Sequence, residues 1–550
     1  MTPIKRFWLL LHEDRREINS IYIYAIFSGI ISLTLPLGIQ SIINLIQGGR
    51  ISYSYVLLVA VVLVGLAFNG VLHIMQMRII EDIQQKVFVR SAFDFTFRIP
   101  KISPKAMESV YAPELMNRFF DTLTLQKGLP KILIELPSAA IQILFGLALL
   151  SFYHPVFILF SVLLIIVMWT IFRFTFKEGL RTSIIESKYK YRAAAWLEEL
   201  ARTRDLFRQA LFSALPLRHT DSNTGTYLWA REKHFSILRK QFYLFVVFKI
   251  FIAAGLLIIG GLLVLNQKIN IGQFVAAEII ILLVLNSVEK LVLYLESIYD
   301  VLTSLEKIGE VMDMPIEIKE KSDLTFNNPL TNLIIEFNNV SFKYSNQTKN
   351  VLNNININLS TNSIINIDGK SDSGKSTFLH LLAGMLNPTE GNITINSIPL
   401  SVFKYNQNYS MTFNSYAHGK LFEGTILENI TLGEKIDYEE IVELNKKLFL
   451  QDYINQLPNG IETQLMSEGI GLSKSNIQKI LLARSIICKP RILMLEHCPE
   501  HISIAERAEI YEYITSKEHS WIVITANADE LLARMCTKTI KLQDGQVSIA

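Results

Sequence analysis

The first 300 residues of this 550-residue chain contain apolar blocks long enough to cross a lipid bilayer. A spanning helix needs about 20 residues, and the stretch from Ile21 to Gly49 contains no charged residue. Lipid offers the backbone no hydrogen-bond partners, so such blocks must be helical. Core helices of a water-soluble protein would not need uncharged runs of this length. We therefore predict six spanning helices: Ile21 to Ile46, Tyr55 to Met77, Leu136 to Phe152, Val156 to Phe172, Tyr243 to Leu265 and Phe274 to Leu295.

The connections between these spans alternate between tight turns and long basic segments. The tight turns are Gly48-Gly49-Arg50, Tyr153-His154-Pro155 and Asn266-Gln267-Lys268. Segments 78–131 and 173–242 are rich in Lys and Arg, which places them in the cytoplasm by the positive-inside rule. Their helical periodicity predicts that the spanning helices project beyond the bilayer. Breaks are predicted at Tyr111 to Arg118 and at Leu200 to Arg204, where short transverse helices would lie.

Two further features of the membrane half carry predictions. The N-terminal sequence MTPIKRFWLLLHEDRRE lacks a signal-peptide layout and favours an amphipathic helix on the membrane surface; a disordered tail is the alternative. Lys249 and Glu278 place charges inside predicted spans. Lys249 either serves a function or snorkels from the cytoplasmic end. Glu278 lies deeper, and we predict that it lines a translocation path.

The character of the sequence changes after Met314-Pro315, where a polar segment is followed by alternating β-rich and helical runs. This alternation predicts an α/β domain over 333–550, a linker over 316–332 and a membrane domain over 1–315. The three cysteines, Cys488, Cys498 and Cys536, all lie in the second half and are predicted to be reduced, cytosolic thiols. A net charge of +3 and a pI near 8.4 give no nucleic-acid footprint, so no nucleic-acid partner is predicted.

A phosphate-binding loop is the strongest local motif in the second half. The sequence that fits the P-loop pattern G-x-x-x-x-G-K-[ST] is Gly369-Lys370-Ser371-Asp372-Ser373-Gly374-Lys375-Ser376, and Thr377 follows it. An apolar run, SIINID, precedes the loop and a helical pattern follows it, as a strand–loop–helix unit requires. Backbone N–H groups and Lys375 would bind the phosphates of ATP, and the Ser376 hydroxyl would ligate Mg²⁺. Tyr344, about 25 residues upstream, is predicted to stack on adenine, although a strand Tyr more often serves packing.

These motifs, together with the run Leu421 to Ile430 and the block Gly471 to Ser503, resemble a half-transporter of the ABC exporter family. The resemblance implies a multi-domain protein, with an all-α six-helix transmembrane domain followed by an α/β P-loop ABC ATPase-type domain. It also implies a dimer that holds two ATP molecules between two such domains, with the cytoplasmic helix tips coupling them to the membrane. The partner subunit is either an identical chain or a second half-transporter.

Several positions depart from the pattern of that family on the side that binds nucleotide. Asp372 stands where the family usually has Gly, and its carboxylate is expected to weaken ATP binding. No Gln occurs between Asn408 and Leu450, so the Q-loop glutamine is absent, and the stretch Asn414 to Lys420 is longer than usual. The signature LSGGQ, whose glycines let the backbone approach the γ-phosphate of the partner's ATP, here reads Leu472-Ser473-Lys474-Ser475-Asn476.

Other departures affect the residues that would handle the attacking water. After the strand Ile492 to Leu495, Glu496 replaces the family's Asp and would still hold a Mg²⁺-bound water, whereas His497 replaces the catalytic Glu. The switch histidine is missing, because Thr525 is followed by Ala526 and Asn527, and Ser503 occupies the D-loop aspartate position. General-base catalysis is worth about 10²–10⁴-fold, so this site is predicted to bind ATP and to hydrolyse it weakly.

The leading hypothesis is an ATP-binding exporter subunit in the inner (plasma) membrane with its nucleotide-binding domain in the cytoplasm. It would move a peptide, protein or lipid-like substrate outward. The segment APELMNRFFDTLTLQKG favours the type I secretion and peptide-exporter branch, with a periplasmic adaptor as a further candidate partner. No N-terminal peptidase domain is expected. The alternative is an ATP-stabilised membrane assembly factor or channel without transport ATPase activity; a soluble ABC ATPase is inconsistent with six spans.

Overall fold

The computed structural model describes residues 1–47, 53–107, 110, 112–210, 213–317, 333–344, 347–400, 412–415, 420–519, 521–526 and 528–549. The chain divides into two compact units, Met1–Ile316 and Glu317–Ala550. Residues 318–332, most of the predicted linker, lie outside the described residues, as do Gly48-Gly49-Arg50 and Tyr111.

The described residues of the first unit form helices joined by short turns. Its helices are α1 (Pro3–His12), α2 (Arg15–Ser32), α3 (Thr34–Gln47), α4 (Tyr53–Arg98), α5 (Pro104–Met107), α6 (Ala112–Met116), α7 (Asp121–Pro130), α8 (Leu136–Tyr153), α9 (Pro155–Arg202), α10 (Arg204–Gln209), α11 (Leu215–Leu265), α12 (Ile271–Leu293) and α13 (Leu295–Met312). Short 3₁₀ turns at Ile99–Lys101 and Asn117–Phe120 and a π-helical segment at Lys131–Glu135 lie between them.

Six helical segments among the described residues are long and apolar enough to cross a membrane, which confirms the predicted number. They are Arg15–Gln47, Tyr53–Lys101, Glu114–Tyr153, Pro155–Arg202, Leu215–Leu265 and Ile271–Met312. Helices α4, α9 and α11 contain 46, 48 and 51 residues. At 1.5 Å per residue each is about 70 Å long or more, over twice the ~30 Å hydrocarbon core. The prediction that the spanning helices project beyond the bilayer is therefore confirmed.

The predicted helix breaks and turns have local causes in the sequence. At the second predicted break, α9 ends at Arg202 and α10 begins at Arg204. The tight turn before α9 ends with His154, whose Nδ1 accepts a hydrogen bond from the backbone N–H of Val156 at 3.3 Å. Before α12, Asn270 and Gln273 form a reciprocal capping box, with N–O distances of 2.6 and 2.9 Å.

Tyr299 is the largest fully buried side chain of the first unit and fixes the approach of α9, α11 and α13. Its hydroxyl accepts a hydrogen bond from Gln241 at 3.0 Å. The ring lies against Gly179, where an added Cβ would be 2.4 Å from the ring carbon Cζ. Glycine at this position of α9 therefore makes room for the tyrosine ring.

We predict that Gly179→Ala lowers the stability of the membrane unit by about 1–3 kcal/mol, because the added methyl group overpacks a site that cannot expand. Gly70→Ala is the matched control: it is also in a long helix, but its Cβ would meet no atom within 4 Å. That substitution should be neutral or stabilising. Thermal unfolding of the purified full chain checks this, and equal midpoints for the two variants would contradict the packing argument.

The second unit is an α/β unit whose described residues form three sheets. Its strands and helices are β1 (Ile334–Phe342), β2 (Leu352–Ser360), β3 (Ile364–Asp368), α14 (Lys375–Leu382), β4 (Glu390–Ile395), β5 (Ile398–Pro399), β6 (Thr412–Ser415), β7 (Gly424–Thr425), α15 (Ile426–Thr431), α16 (Tyr438–Lys447), α17 (Gln451–Gln456), β8 (Gln464–Leu465), α18 (Lys474–Ile487), β9 (Ile492–Leu495), α19 (Ile504–Thr515), β10 (Ile522–Ala526), α20 (Glu530–Met535), β11 (Lys538–Gln543) and β12 (Gln546–Ile549).

The main sheet has the strand order β12-β11-β3-β10-β9-β6. Strands β11, β3, β10, β9 and β6 run parallel, and β12 is antiparallel at one edge. A second, antiparallel sheet has the order β2-β1-β4-β5, and β7 pairs with β8. The predicted strands LIIEFNNVSF, ILML and WIVIT correspond to β1, β9 and β10, so these predictions are confirmed.

Two hydrophobic cores hold this unit together. One joins the antiparallel sheet, the main sheet and α14, where Phe337 stacks on Phe378 with ring centroids 4.6 Å apart. The other surrounds α15 to α19 and the opposite part of the main sheet. Helix α14 is therefore anchored by its buried face while its N-terminus lies at the end of β3.

The three cysteines form no disulfide, and burial raises the pKa of each thiol. Burial raises the pKa of the Cys536 thiol to about 11. Because only a thiolate alkylates rapidly, about one Cys536 in a thousand is reactive at pH 8.

We predict that iodoacetamide labels Cys536 slowly in the folded protein and about tenfold faster for each pH unit between 8 and 10. Unfolding in urea should restore the reactivity of an ordinary thiol at pH 8. Mass spectrometry of the labelled peptide measures both rates, and rapid labelling of the folded chain at pH 8 would refute the prediction.

Candidate nucleotide-binding site

The predicted P-loop lies between β3 and α14, so the expected strand–loop–helix context is confirmed. Gly374 is the N-cap residue of α14 and has φ of 99°, a conformation that favours glycine. At Gly369, an added Cβ would be 2.5 Å from the carbonyl oxygen of Leu542, so this position needs glycine for close backbone approach.

Lys375 is directed toward the loop itself. Its Nζ donates hydrogen bonds to the carbonyl oxygens of Gly369 at 2.6 Å and Lys370 at 2.8 Å. The side chain is 9% exposed, and it lies in the first turn of α14, whose free N–H groups favour anions. Ser376 follows at an exposed position. This arrangement suits the binding of a phosphate chain.

Tyr344 lies beside the P-loop, as a ligand of the same nucleotide would have to. Its hydroxyl is 3.1 Å from Thr377 Oγ1, and its ring packs edge-on against Phe342 at 4.9 Å between centroids. The tyrosine thus packs against β1 and also lies close to the loop. Its stacking on adenine stays a prediction.

Asp372 adopts φ of 63°, the left-handed region, and its side chain is exposed. Asp is one of the few residues other than glycine that tolerate this backbone conformation. The loop therefore keeps a glycine-type conformation at this position while acquiring a carboxylate.

Glu496 lies at the same edge of the sheet as the P-loop, because β3, β10 and β9 are parallel neighbours. It is 5% exposed, and its Oε2 atom is buried with no hydrogen-bond partner among the described residues. A buried, unpartnered carboxylate oxygen is costly unless a cation or a donor meets it. Glu496 therefore fits a position that accepts a metal-bound water.

The two positions predicted to impair hydrolysis differ in their surroundings. His497 is exposed and has no hydrogen bond or ion pair to a described residue. Ala526 is 1% exposed at the end of β10, which lies between β3 and β9 in the sheet. Its methyl group offers no hydrogen bond to a phosphate. Asn527 lies outside the described residues.

The signature segment Leu472 to Asn476 lies at the start of α18. Ser473 is the N-cap residue and its Oγ accepts a hydrogen bond from the N–H of Asn476 at 3.2 Å. Lys474 is the first residue of the helix and is exposed. The N-terminus is the positive end of the helix dipole. The charge of Lys474 therefore makes the electrostatic potential at this helix end more positive.

Comparison with known proteins assigns this unit. A family model described as ABC transporter matches residues 352–498. A putative export ATP-binding/permease protein of Rickettsia bellii is 31% identical over 226 residues, which are 41% of this chain and 39% of that protein. The alpha-hemolysin translocation ATP-binding protein HlyB of Escherichia coli O157:H7 is 32% identical over 233 residues, which are 42% of this chain and 33% of that protein. The matches thus span less than half of these relatives.

Solved structures are similar to nearly the whole chain, and one of them serves as the example. The structure of a bacterial Atm1-family ABC exporter with ATP bound superposes with a TM-score of 0.84, over 97% of this chain and 94% of that one, at 17% identity. The chain carries an ABC transporter domain on an ABC exporter fold. The domain implies ATP binding, and the membrane unit is that of a multi-pass membrane protein.

Within the ABC transporter domain, the run Leu421 to Ile430 builds the support for α18. Thr425 and Glu428 form a capping box for α15. Arg484 of α18 donates to the backbone oxygen of Asn429 at 2.7 Å and to its Oδ1 at 2.9 Å. Burial lowers the pKa of Arg484, so these hydrogen bonds compensate a desolvated charge.

Ser503 and two further residues hold the start of α19 against α18. Ser503 Oγ accepts a hydrogen bond from the N–H of Glu506 at 3.3 Å and donates to its Oε2 at 3.0 Å. Lys479, 5% exposed, donates to Glu506 Oε1 at 2.8 Å. Burial opposes ionisation of Glu506, but the bonds from Lys479 and Ser503 outweigh it and lower its pKa. Sequence reasoning missed this pair, because its residues are 27 positions apart.

The helices of the first unit contain ion pairs that sequence reasoning missed, among them one within the predicted spans. Lys249 Nζ donates to Glu289 at 2.9 Å. Glu289 falls inside the predicted span Phe274 to Leu295. In the sequence, Glu289 and the adjacent Lys290 resemble the charged end of that span. Glu278 is half-buried and has no ion pair or hydrogen bond to a described residue.

We predict that Asp372→Gly tightens ATP binding about three- to tenfold at low ionic strength, because it removes a negative charge near the phosphates. Asp372→Asn is the matched control: it removes the charge but keeps a residue that tolerates positive φ. Equal gains for both variants would assign the effect to charge. Titration of the purified protein with a fluorescent ATP analogue measures it, and unchanged affinity in both would mean that the carboxylate does not affect the phosphates.

Proposed function

We propose that this chain is one subunit of a dimeric ABC exporter that binds ATP and hydrolyses it weakly on its own. It would move a peptide, protein or lipid-like substrate outward across the inner membrane. The observation that supports transport most is the exporter fold over 97% of the chain. The proposed domains are residues 1–315 in the membrane, 316–332 as the linker and 333–550 for nucleotide binding.

ATP and Mg²⁺ are the cofactors that the site favours. Lys375 would neutralise the β- and γ-phosphates, and the remaining loop residues, Gly369 to Thr377, would surround them. Ser376 would ligate the metal ion, and Glu496, whose Oε2 is buried and unpartnered, would hold a metal-bound water. When bound, the metal ion offsets the charge of the phosphates.

Weak hydrolysis is supported by the chemistry of the residues that face the reaction. The imidazole of His497 lacks the negative charge of a carboxylate and is therefore a poor substitute for a carboxylate base. Ala526 cannot contact a phosphate by a hydrogen bond. Side chains at Lys474 and Ser475 would crowd the backbone approach that glycines allow in the partner's site.

The partner and the cargo are proposed from the relatives. Two related proteins are named for alpha-hemolysin translocation and for lactococcin-A transport and processing, the latter from Lactococcus lactis and 27% identical over 52% of this chain. These names favour a peptide or protein cargo and a type I secretion system with a periplasmic adaptor. A partner subunit with an intact catalytic site would supply the turnover that this chain lacks.

The proposed orientation in the membrane is based on the distribution of basic residues. The basic extensions of α4, α9 and α11 would lie in the cytoplasm together with the nucleotide-binding domain. The exposed Trp8 and Leu9 of α1 (62% and 57% exposed) favour its location at the membrane surface. Glu278, without a partner among the described residues, would face the translocation path. Normal export by Glu278→Gln would contradict that role.

We predict that His497→Glu raises ATP turnover of the full chain in lipid by about 10²-fold or more, because it restores a carboxylate base. His497→Gln, which adds no charge, should leave turnover low. Release of inorganic phosphate is the measurement. Lys375→Ala should abolish ATP binding in either background, because the phosphates lose their lysine.

Steady turnover of the unaltered chain that Lys375→Ala abolishes would refute the weak-hydrolysis proposal. Binding without turnover, followed by turnover when a partner subunit is added, would support the heterodimer. Binding without turnover in every combination, with no effect of His497→Glu, would favour the ATP-stabilised assembly factor or channel instead.

A further inference from the structure

A groove of about 490 Å³ lies between α9 and the α12–α13 region of the first unit. Its walls are almost wholly apolar. The side chains that form them are Trp169, Phe172 and Phe176 from α9 and Leu291, Leu295 and Ile298 from α12 and α13. Arg173 and Lys177 of α9 also line the groove. It is thus an apolar groove with two cations beside it.

The two cations are available to a ligand. Arg173 and Lys177 are exposed and form no ion pair or hydrogen bond with any described residue. The carboxylates that directly adjoin lining residues in sequence, next to Leu136, Lys177 and Leu295, are already paired. Glu178 pairs with Arg181 at 3.4 Å, Glu135 with Lys290 at 3.3 Å and Glu296 with Arg231 at 3.4 Å. The groove therefore keeps a net positive charge beside its apolar walls.

The depth of the groove matches the headgroup level of one leaflet. Helix α9 begins at Pro155, so at 1.5 Å per residue Arg173 and Lys177 lie about 27 and 33 Å further along the helix. The hydrocarbon core is about 30 Å thick. Leu291 lies about 30 Å along the helix from Ile271, where α12 begins. Trp169, one turn before Arg173, lies about 21 Å along α9 and therefore at the level of the acyl chains.

We propose that this groove binds an anionic phospholipid, with an acyl chain against the apolar walls and the headgroup phosphate between Arg173 and Lys177. The inner-leaflet assignment rests on the membrane orientation proposed above. A peptide cargo would leave its backbone polar groups unpaired in such a groove, whereas an acyl chain has none. Basic pockets between membrane helices bind lipid phosphates through the same charges.

The test uses contact quenching of Trp169 fluorescence in the full chain reconstituted into phosphatidylcholine nanodiscs. A minor fraction of the lipid carries bromine on its acyl chains, as either phosphatidylglycerol or phosphatidylcholine. A Trp169→Phe variant assigns the quenching to this residue. We expect brominated phosphatidylglycerol to be preferred about fivefold or more, and the preference to disappear in Arg173→Gln/Lys177→Gln.

Lys188→Gln is the matched control: it removes an exposed cation of the same helix, about four turns beyond Arg173, that does not line the groove. It should keep the preference. Retained ATP binding by the double variant shows that it is folded, and Lys375→Ala should keep the lipid preference, which separates this proposal from the proposed function. Equal quenching by both lipids, or a preference that survives the double variant, would overturn the lipid site.

Discussion

The hydrogen-bond requirement of the backbone in lipid is the constraint on which the membrane half depends. A peptide group without a hydrogen-bond partner in hydrocarbon costs several kcal/mol. The uncharged stretch after Ile21 is therefore expected to form a helix. Beyond these apolar spans, α4, α9 and α11 continue in one piece as Lys- and Arg-rich segments. Buried contacts such as Tyr299 against Gly179 then fix how these long helices approach one another.

The nucleotide site depends on a different constraint, the parallel order of β3, β10 and β9. Parallel neighbouring strands end at the same edge of the sheet. The P-loop after β3 and Glu496 after β9 therefore lie at one edge although they are far apart in sequence. The end of β10 lies between them, and Ala526 occupies it. The same edge therefore combines a well-formed phosphate loop with the buried, apolar side chain of Ala526.

Much of this arrangement could be predicted from the sequence, because its signals are local. The spans follow from hydropathy, the P-loop from a fixed spacing and β9 and β10 from short apolar runs. What could not be predicted are the pairings between distant residues. The ion pair of Lys249 with Glu289, the bond of Lys479 to Glu506 and the support of α18 by Arg484 and Asn429 all join residues on different elements.

The sequence by itself determined which segments must be helices and where a phosphate-binding loop lies, because backbone hydrogen bonding and side-chain chemistry are local properties. Only the tertiary structure decided which charges neutralise one another and which remain available. Glu135, Glu178 and Glu296 are paired, whereas Arg173 and Lys177 line an apolar groove without a partner among the described residues. Such partnerships depend on how helices approach in space, and spacing along the chain does not encode that approach.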